Sequence, residues 1–230
     1  MSDVPEEPKK TAADIAYTVV KAALSAVPVA GGPSAELLGL IFGPPLEKRR
    51  EKWLEQLANA VKEVQDKVSE LTPEELSKDE AFVTTALHAT EIAIRNHQQE
   101  KIEALRNAVV NAALPGAPDE TMQQIFLNHV DNLTPEHLRI LAFFDDPGGW
   151  GAKHKITYPT WTMGSPGVVL EHSIPELAGH RGFYDQIVND LEQRGLMPSG
   201  GLHTTMTSHG MFSPRVTPLG KQFLQFISRN

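Results

Sequence analysis

Downstream of Leu46 the apolar positions fall at Trp53, Leu57, Val61, Val64, Val68 and Leu71, in steps of four and three residues. That spacing belongs to one face of an α-helix. "LEKRREKWLEQLANAVKEVQDKVSEL" is therefore expected to be one long amphipathic helix. Its near-heptad stripe needs a partner. The partner is either a second copy of the chain, giving a homo-oligomer, or intramolecular, most simply the helix expected over 79–113. The preceding stretch, "AADIAYTVVKAALSAVPVAGGPSAELLGLIFGPP", holds two apolar segments separated by Pro28 and a Gly-Gly-Pro. Its longest charge-free run, Ala22–Ala35, is 14 residues with two prolines and two glycines. A spanning helix needs about 20 apolar residues, so the segment reads as two buried helices. The alternative is a membrane surface met through 11–43. Lys48, Arg49, Arg50 and Lys52 would then offer a patch for anionic lipid or phosphate, although Glu47, Glu51 and Glu55 interleave with them as in a solvated helix face. Pro44-Pro45 is expected to end one helix and start the next.

Further along, "LTPEEL" carries a helix start with Thr72 as cap, Pro73 as first residue and Glu75 three residues on. From Asp79 to Leu114 the pattern is helical. Phe82, Ala86, Ala89, Ala93 and Ile94 lie on one side, followed by Ile102, Leu105, Val109 and Ala112. "RNHQQEK" between them is either an exposed middle or a break. "PGAP" at 115–118 stops the pattern, and two more helices follow, the second capped by Thr134. Beyond Asp145 the texture changes. "DPGGWGAKHKITYPTWTMGSPG" reads as a long loop and "VVLEHS" as a β-prone run. "SIPELAG" reads as a short helix capped by Ser173. "HRGFYDQIVNDLEQRGLM" reads as an amphipathic helix with Phe183, Ile187, Leu191 and Leu196 toward the core. Two β-segments around "LHTTM" and "GMFSPRV" precede a closing helix, "TPLGKQFLQFI".

This order of helix, short strand, short helix, helix, two-stranded wing and closing helix resembles the winged helix-turn-helix superfamily over about 134–230. "IVNDLEQRGLM" and "RVTPLGKQFL" carry the resemblance. Gly195 supplies a left-handed helix end and Thr217 a cap for the closing helix. The resemblance implies a third helix that enters the DNA major groove in DNA-binding members, with Arg181, Arg194, Arg215 and Lys221 as candidate nucleic-acid contacts. Many winged helices bind protein instead. Trp150, Tyr158 and Trp161 in the long loop are candidate partner-contact aromatics, or else simply cover the core. The apolar hairpin followed by a charged helix resembles a segment of uncharacterised bacterial proteins, some of them associated with abortive infection. That resemblance implies a bacterial origin and a membrane-associated anti-phage effector as a further alternative.

Charge sharpens the division. Residues 1–132 hold 13 Lys/Arg against 21 Asp/Glu, and 133–230 hold 8 against 8. Six of the nine histidines, His137, His154, His172, His180, His203 and His209, lie in the latter part. The third helix adds Asp185, Asp190 and Glu192 to its two arginines, so its outward positions are net acidic and offer little for phosphate neutralisation. The absence of cysteine excludes thiolate metal sites, thiol nucleophiles and disulfides. The polar opening "MSDVPEEPKK" lacks the order of a secretory leader, and the expected location is the cytoplasm. No phosphate-loop or dinucleotide motif occurs. His203 with His209, Asp145 with Asp146, and Ser208-His209 form no convincing metal or catalytic spacing. The expectation is a mainly α, non-enzymatic protein with no cofactor and no metal. It has a polar tail at 1–10, a helical bundle over 11–132 and a winged-helix-like domain with a small β-wing over 133–230. The expected role is regulatory, with a protein partner first and DNA second.

Overall fold

The computed structural model describes residues 33–68 and 71–229, with backbone alone for 33–42. The expected tail and the first limb of the apolar hairpin lie outside the described residues. Among the described residues the protein is mainly α, with eleven α-helices and one two-stranded sheet. Two compact units share the chain: one runs up to Asp131 and takes in Phe226 onward, the other is Asn132–Gln225.

The first unit is built from α1 (Pro33–Lys67), a single turn α2 (Pro73–Leu76), α3 (Glu80–Arg95), α4 (Gln99–Ala113) and α5 (Glu120–Asn132). Pro44-Pro45 does not divide the first helix, which runs through both residues. Proline's fixed φ is itself helical, so a pair can be read through at the cost of the amide bonds it cannot donate. "RNHQQEK" holds a break: α3 ends at Asn96, whose Nδ2 donates back to the Ile92 carbonyl at 2.8 Å, and α4 starts after Gln98.

Helices α1, α3 and α4 pack on one another, and this packing consumes the stripe. Trp53, Leu57 and Val64 are buried, while Val61, Val68 and Leu71 are half-buried. Burying each large apolar side chain stabilises by roughly 1.5–3 kcal/mol. The Trp53 indole N–H donates to Thr90 Oγ1 at 2.9 Å, which satisfies its polar edge inside the core. Of the two partners expected for the stripe, the intramolecular one is seen here: the chain's own α3 and α4 cover most of its apolar surface. The C-terminal residues also belong to this unit. Asn111 Nδ2 donates to the carbonyls of Phe226 and Ser228, each at 2.8 Å, and the Phe226 ring lies 5.7 Å from that of Phe126.

The second unit contains α6 (Pro135–Asp145), α7 (Pro147–His154), β1 (Met163–Gly164), α8 (Pro166–Ser173), a 3-10 turn (Pro175–Leu177), α9 (Arg181–Gln193), β2 (Met206–Thr207), α10 (Ser208–Met211) and most of α11 (Pro218–Ile227). Several expectations are corrected here. The supposed long loop opens with α7: the Asp146 carboxylate accepts from the Gly149 amide at 2.8 Å, and Lys155 ends the helix at φ 56°. "VVLEHS" is helical, because Ser165 in extended geometry followed by Pro166 is a helix start that outweighs the β-propensity of the valines. Ser173 is the last residue of α8, not a cap for the turn that follows. The expected wing hairpin is not formed by its two proposed segments. β2 pairs antiparallel with β1, Met163 opposite Thr207 and Gly164 opposite Met206, while "SHGM" folds as α10. Phe183 does not face the core: Tyr184, Ile187, Val188 and Leu191 make the buried stripe of α9, and Phe183 stands 54% exposed.

Gly195 and Thr217 do what their sequence positions indicated. Gly195 adopts φ 71°, so the Leu196 amide can return to the Leu191 carbonyl at 2.9 Å. Thr217 Oγ1 accepts from the Gly220 amide at 3.0 Å and donates to the Gly195 carbonyl at 2.6 Å. Gly220 is required for the same joint, since a Cβ there would run into the Leu196 carbonyl oxygen.

Candidate interaction surface

In the second unit, α8 is followed by a turn over 174–180 and then by α9. Gly179 at φ 79° reverses the chain before α9. The joint between the helices is fastened by Tyr184, whose hydroxyl donates to Glu171 Oε1 at 2.8 Å. Burial and the acceptor carboxylate both push the Tyr184 hydroxyl well above the usual tyrosine range, so it stays a proton donor. α6 packs against α9 from the core side, which leaves Phe183, Gln186, Asn189 and Gln193 on its exposed side.

Each carboxylate of α9 has an internal donor. Asp185 takes Arg181 Nε at 3.3 Å and His203 Nε2 at 2.6 Å. Asp190 accepts from Gln186 Nε2 at 2.8 Å and faces His137 Nε2 at 3.4 Å. Glu192 accepts from the Gly201 amide at 3.1 Å. His137 is set up as a neutral donor. Its Nδ1 accepts the Thr134 amide at 3.3 Å, which leaves the proton on Nε2 toward Asp190. Desolvation holds its pKa below the ordinary histidine value, and the Asp190 hydrogen bond opposes that shift only in part.

The four candidate nucleic-acid residues do not form one basic face. Arg181 is exposed but engaged by Asp185. Arg194 sits at the opposite end of α9, about 20 Å along the axis at 1.5 Å per residue. Arg215 is turned inward: its Nη2 rests against Met206 Sδ at 2.8 Å, its Nε is buried without a partner, and burial lowers its pKa. Lys221 is exposed on α11.

The candidate partner aromatics hold the unit's interior together. Trp150 stacks on His154 at 4.3 Å and meets Phe143 edge-on at 5.8 Å. Tyr158 shares a hydrogen bond of 2.8 Å with Ser173 Oγ, and its ring meets Phe212 edge-on at 4.9 Å. Trp161 joins the same cluster through His172, at 5.3 Å. All three are half-buried, and they tie the 155–162 segment down. Sequence reasoning missed the exposed aromatic, Phe183, and the His137–Asp190 and His203–Asp185 pairs. Counted from Ile187 and Leu191 at about 100° per residue, both 183 and 184 fall toward the inward side, and only the burial of Val188 and Tyr184 sets 183 outside.

In the first unit, Lys48, Arg49 and Lys52 line a cleft of about 250 Å³ closed on its other side by Asn96, His97 and Gln99. Among the described residues no helix is long and apolar enough to cross a membrane, and no group of three or more His, Asp or Glu residues is placed to hold a metal. No protein-family model, no curated protein and no solved structure matches the chain.

Proposed function

We propose that the chain is a non-enzymatic interaction protein whose second unit, a winged-helix-type module, binds a protein partner through the exposed side of α9. The observation that carries this reading is the composition of that side. Of the candidate cations, Arg181 is paired with Asp185 and Arg215 is turned into the unit, leaving Arg194 at the far end of α9, while Phe183 is left 54% exposed in the first turn of the helix. A surface of one large aromatic among neutral amides suits a protein interface, where aromatics are enriched and charges depleted at the centre. Phosphate contacts from Lys and Arg supply most of the affinity for DNA, and this face offers few that are free.

DNA remains the second reading, favoured by Gln186 and Asn189, two exposed amides of the type that read adenine edges from a recognition helix. Titration of the full chain against mixed-sequence duplex DNA at low and physiological salt separates the two. The protein-partner reading expects weak binding that disappears as salt is added. Binding that survives physiological salt and is lost in Arg181→Ala or Arg194→Ala would establish the DNA reading instead. A photo-crosslinking residue at Gln186 is then expected to capture a discrete protein adduct in cells, and Phe183→Asp to abolish it.

A further inference from the structure

The cleft in the first unit has no part in the interaction reading, and its chemistry is distinct. Lys48, Arg49 and Lys52 approach it from one face of α1, with Pro45 and the edge of Trp53 beneath them. Among the described residues none of the three has a carboxylate within ion-pair distance. Arg49 Nη1 reaches only the Arg95 carbonyl, at 3.5 Å, and Lys52 Nζ only Gln99 Oε1, at 3.1 Å. Elsewhere in the same unit, Lys67, Lys78, Arg95 and Arg106 each have an acidic partner, while among the described residues Arg50 and Lys62, like the cleft cations, have none. Lys48 and Lys52 are four residues apart on one helix, an arrangement of like charges that disfavours the helix unless an anion sits between them. Glu47, Glu51 and Glu55 are exposed on α1 and line no part of the cleft.

The opposite wall is polar, with Asn96 Nδ2 donating to the Ile92 carbonyl and Gln99 Nε2 to Glu103 Oε1 at 3.3 Å. The α3–α4 break brings Asn96, His97 and Gln99 to the cleft, and Gln99 is the first residue of α4. That helix is 15 residues long, and its cap residue, Gln98, makes no side-chain bond to the first turn. Its first turn also carries Glu100, so the attraction for an anion comes from the cations of α1 and not from this helix end. Ala93 and Ile102 add apolar surface. Three cations without a carboxylate partner, a polar wall and a small apolar patch in about 250 Å³ match a compact molecule with a single phosphate, lysine being a common phosphate ligand.

We infer that this cleft binds a phosphomonoester, either on a free small molecule or on the headgroup of an anionic lipid. The full chain is titrated calorimetrically with inorganic phosphate and with glycerol 3-phosphate. In parallel it is sedimented at physiological salt with phosphatidylcholine vesicles containing phosphatidic acid. Lys48→Gln/Lys52→Gln keeps the side-chain stems and removes the charges. It is expected to weaken binding at least about tenfold, the loss of charge-assisted contacts, with no change in melting temperature because both positions are exposed. Lys62→Gln, which removes a cation from α1 outside the cleft, is expected to leave binding unchanged. Binding of glycerol 3-phosphate in solution assigns a free ligand, and binding confined to vesicles assigns a lipid headgroup; either supports the inference. It is overturned if no probe binds, if the double variant binds as the wild type does, or if Lys62→Gln weakens binding equally.

Discussion

The two units solve the problem of burying a core in different ways. The first uses long helices, α1 of 35 residues, α3 of 16 and α4 of 15, each with one apolar stripe laid against the next. The second uses shorter pieces, with α7 and α8 of 8 residues each and α9 of 13, joined by turns whose geometry depends on single atoms. Gly220 passes under the Leu196 carbonyl, the Arg215 amide donates to the Phe144 carbonyl at 2.8 Å, and Tyr184 reaches across to Glu171. Cohesion in the first unit is spread over a repeated pattern. In the second it is concentrated in joints, and the surface left over is correspondingly specific.

Changes at the centre of the first unit's stripe should have the largest effect. Trp53→Ala removes a side chain only 2% exposed and leaves the Thr90 hydroxyl without its indole donor. The expected destabilisation is about 3–5 kcal/mol, as for other buried aromatics, read by urea unfolding of the full chain. Trp53→Phe keeps most of the volume, so it separates the lost hydrogen bond from the lost packing. A Trp53→Ala loss below about 1 kcal/mol would mean that the stripe is not the core it is taken to be.

The joint between α9 and α11 comes next. Gly220→Ala places a methyl against the Leu196 carbonyl oxygen and the Val216 side chain, and backbone cannot yield as a flexible side chain does. About 1–3 kcal/mol of destabilisation is expected from overpacking. Gly182→Ala, with nothing within 4 Å of the added carbon, is the matched control and should be neutral or slightly stabilising through helix propensity. Equal effects at the two glycines would remove the contrast between a joint and an open helix position.

Legibility in the sequence followed the same division. Stripes repeat, so Trp53, Leu57 and Val64 or Ile187 and Leu191 declare their faces through spacing alone, and caps such as Thr72, Gly195 and Thr217 announce themselves by residue type. The short elements do not repeat. "VVLEHS" offers too few positions for a period, and only the Ser165-Pro166 step before it signals a helix. Strand pairing of β2 with β1, over 40 residues upstream, has no local signature at all. The candidate arginines were legible as cations, but the partners that disarm them, Asp185 for Arg181 and Met206 for the inward Arg215, are set by tertiary packing. The cleft was half legible: Lys48, Arg49 and Lys52 stood out as a basic cluster, while Asn96, His97 and Gln99 appeared only as a polar interruption.

Titration sharpens the comparison through His137, which lies in the second unit beneath Asp190. Burial is the main cause of its lowered pKa, so the folded state takes up its proton less readily than the unfolded chain, whose histidine titrates near 6.5. The sign follows from proton linkage: this contribution to stability is fully present above pH 6.5, and it is lost as pH falls through the folded value. Melting temperature measured from pH 7.5 to pH 5 is expected to drop, and His137→Gln to flatten the dependence. A variant with the same slope as the wild type would show that His137 is not the group responsible.

The smallest stability effect is expected one residue from a large one. Phe183 and Tyr184 are neighbours on α9, 54% and 2% exposed respectively. A step of one residue turns a helix by about 100°, enough to carry one ring into solvent and the other into the core. Phe183→Ala should therefore change unfolding stability by no more than about 0.5 kcal/mol, the range of an uninvolved surface position. Tyr184→Ala removes a buried aromatic and its bond to Glu171, and it should cost several-fold more. Hydroxyl-radical footprinting gives a second reading, with rapid oxidation at Phe183 and protection at Tyr184. If Phe183→Ala instead destabilises by about 2 kcal/mol or more, a value typical of core truncation, the ring is covered in the free protein and α9 does not present it to a partner. If stability holds while the cross-linked partner adduct is lost, the ring is exposed for recognition, in contrast to the first unit, whose large aromatic Trp53 is spent on the fold.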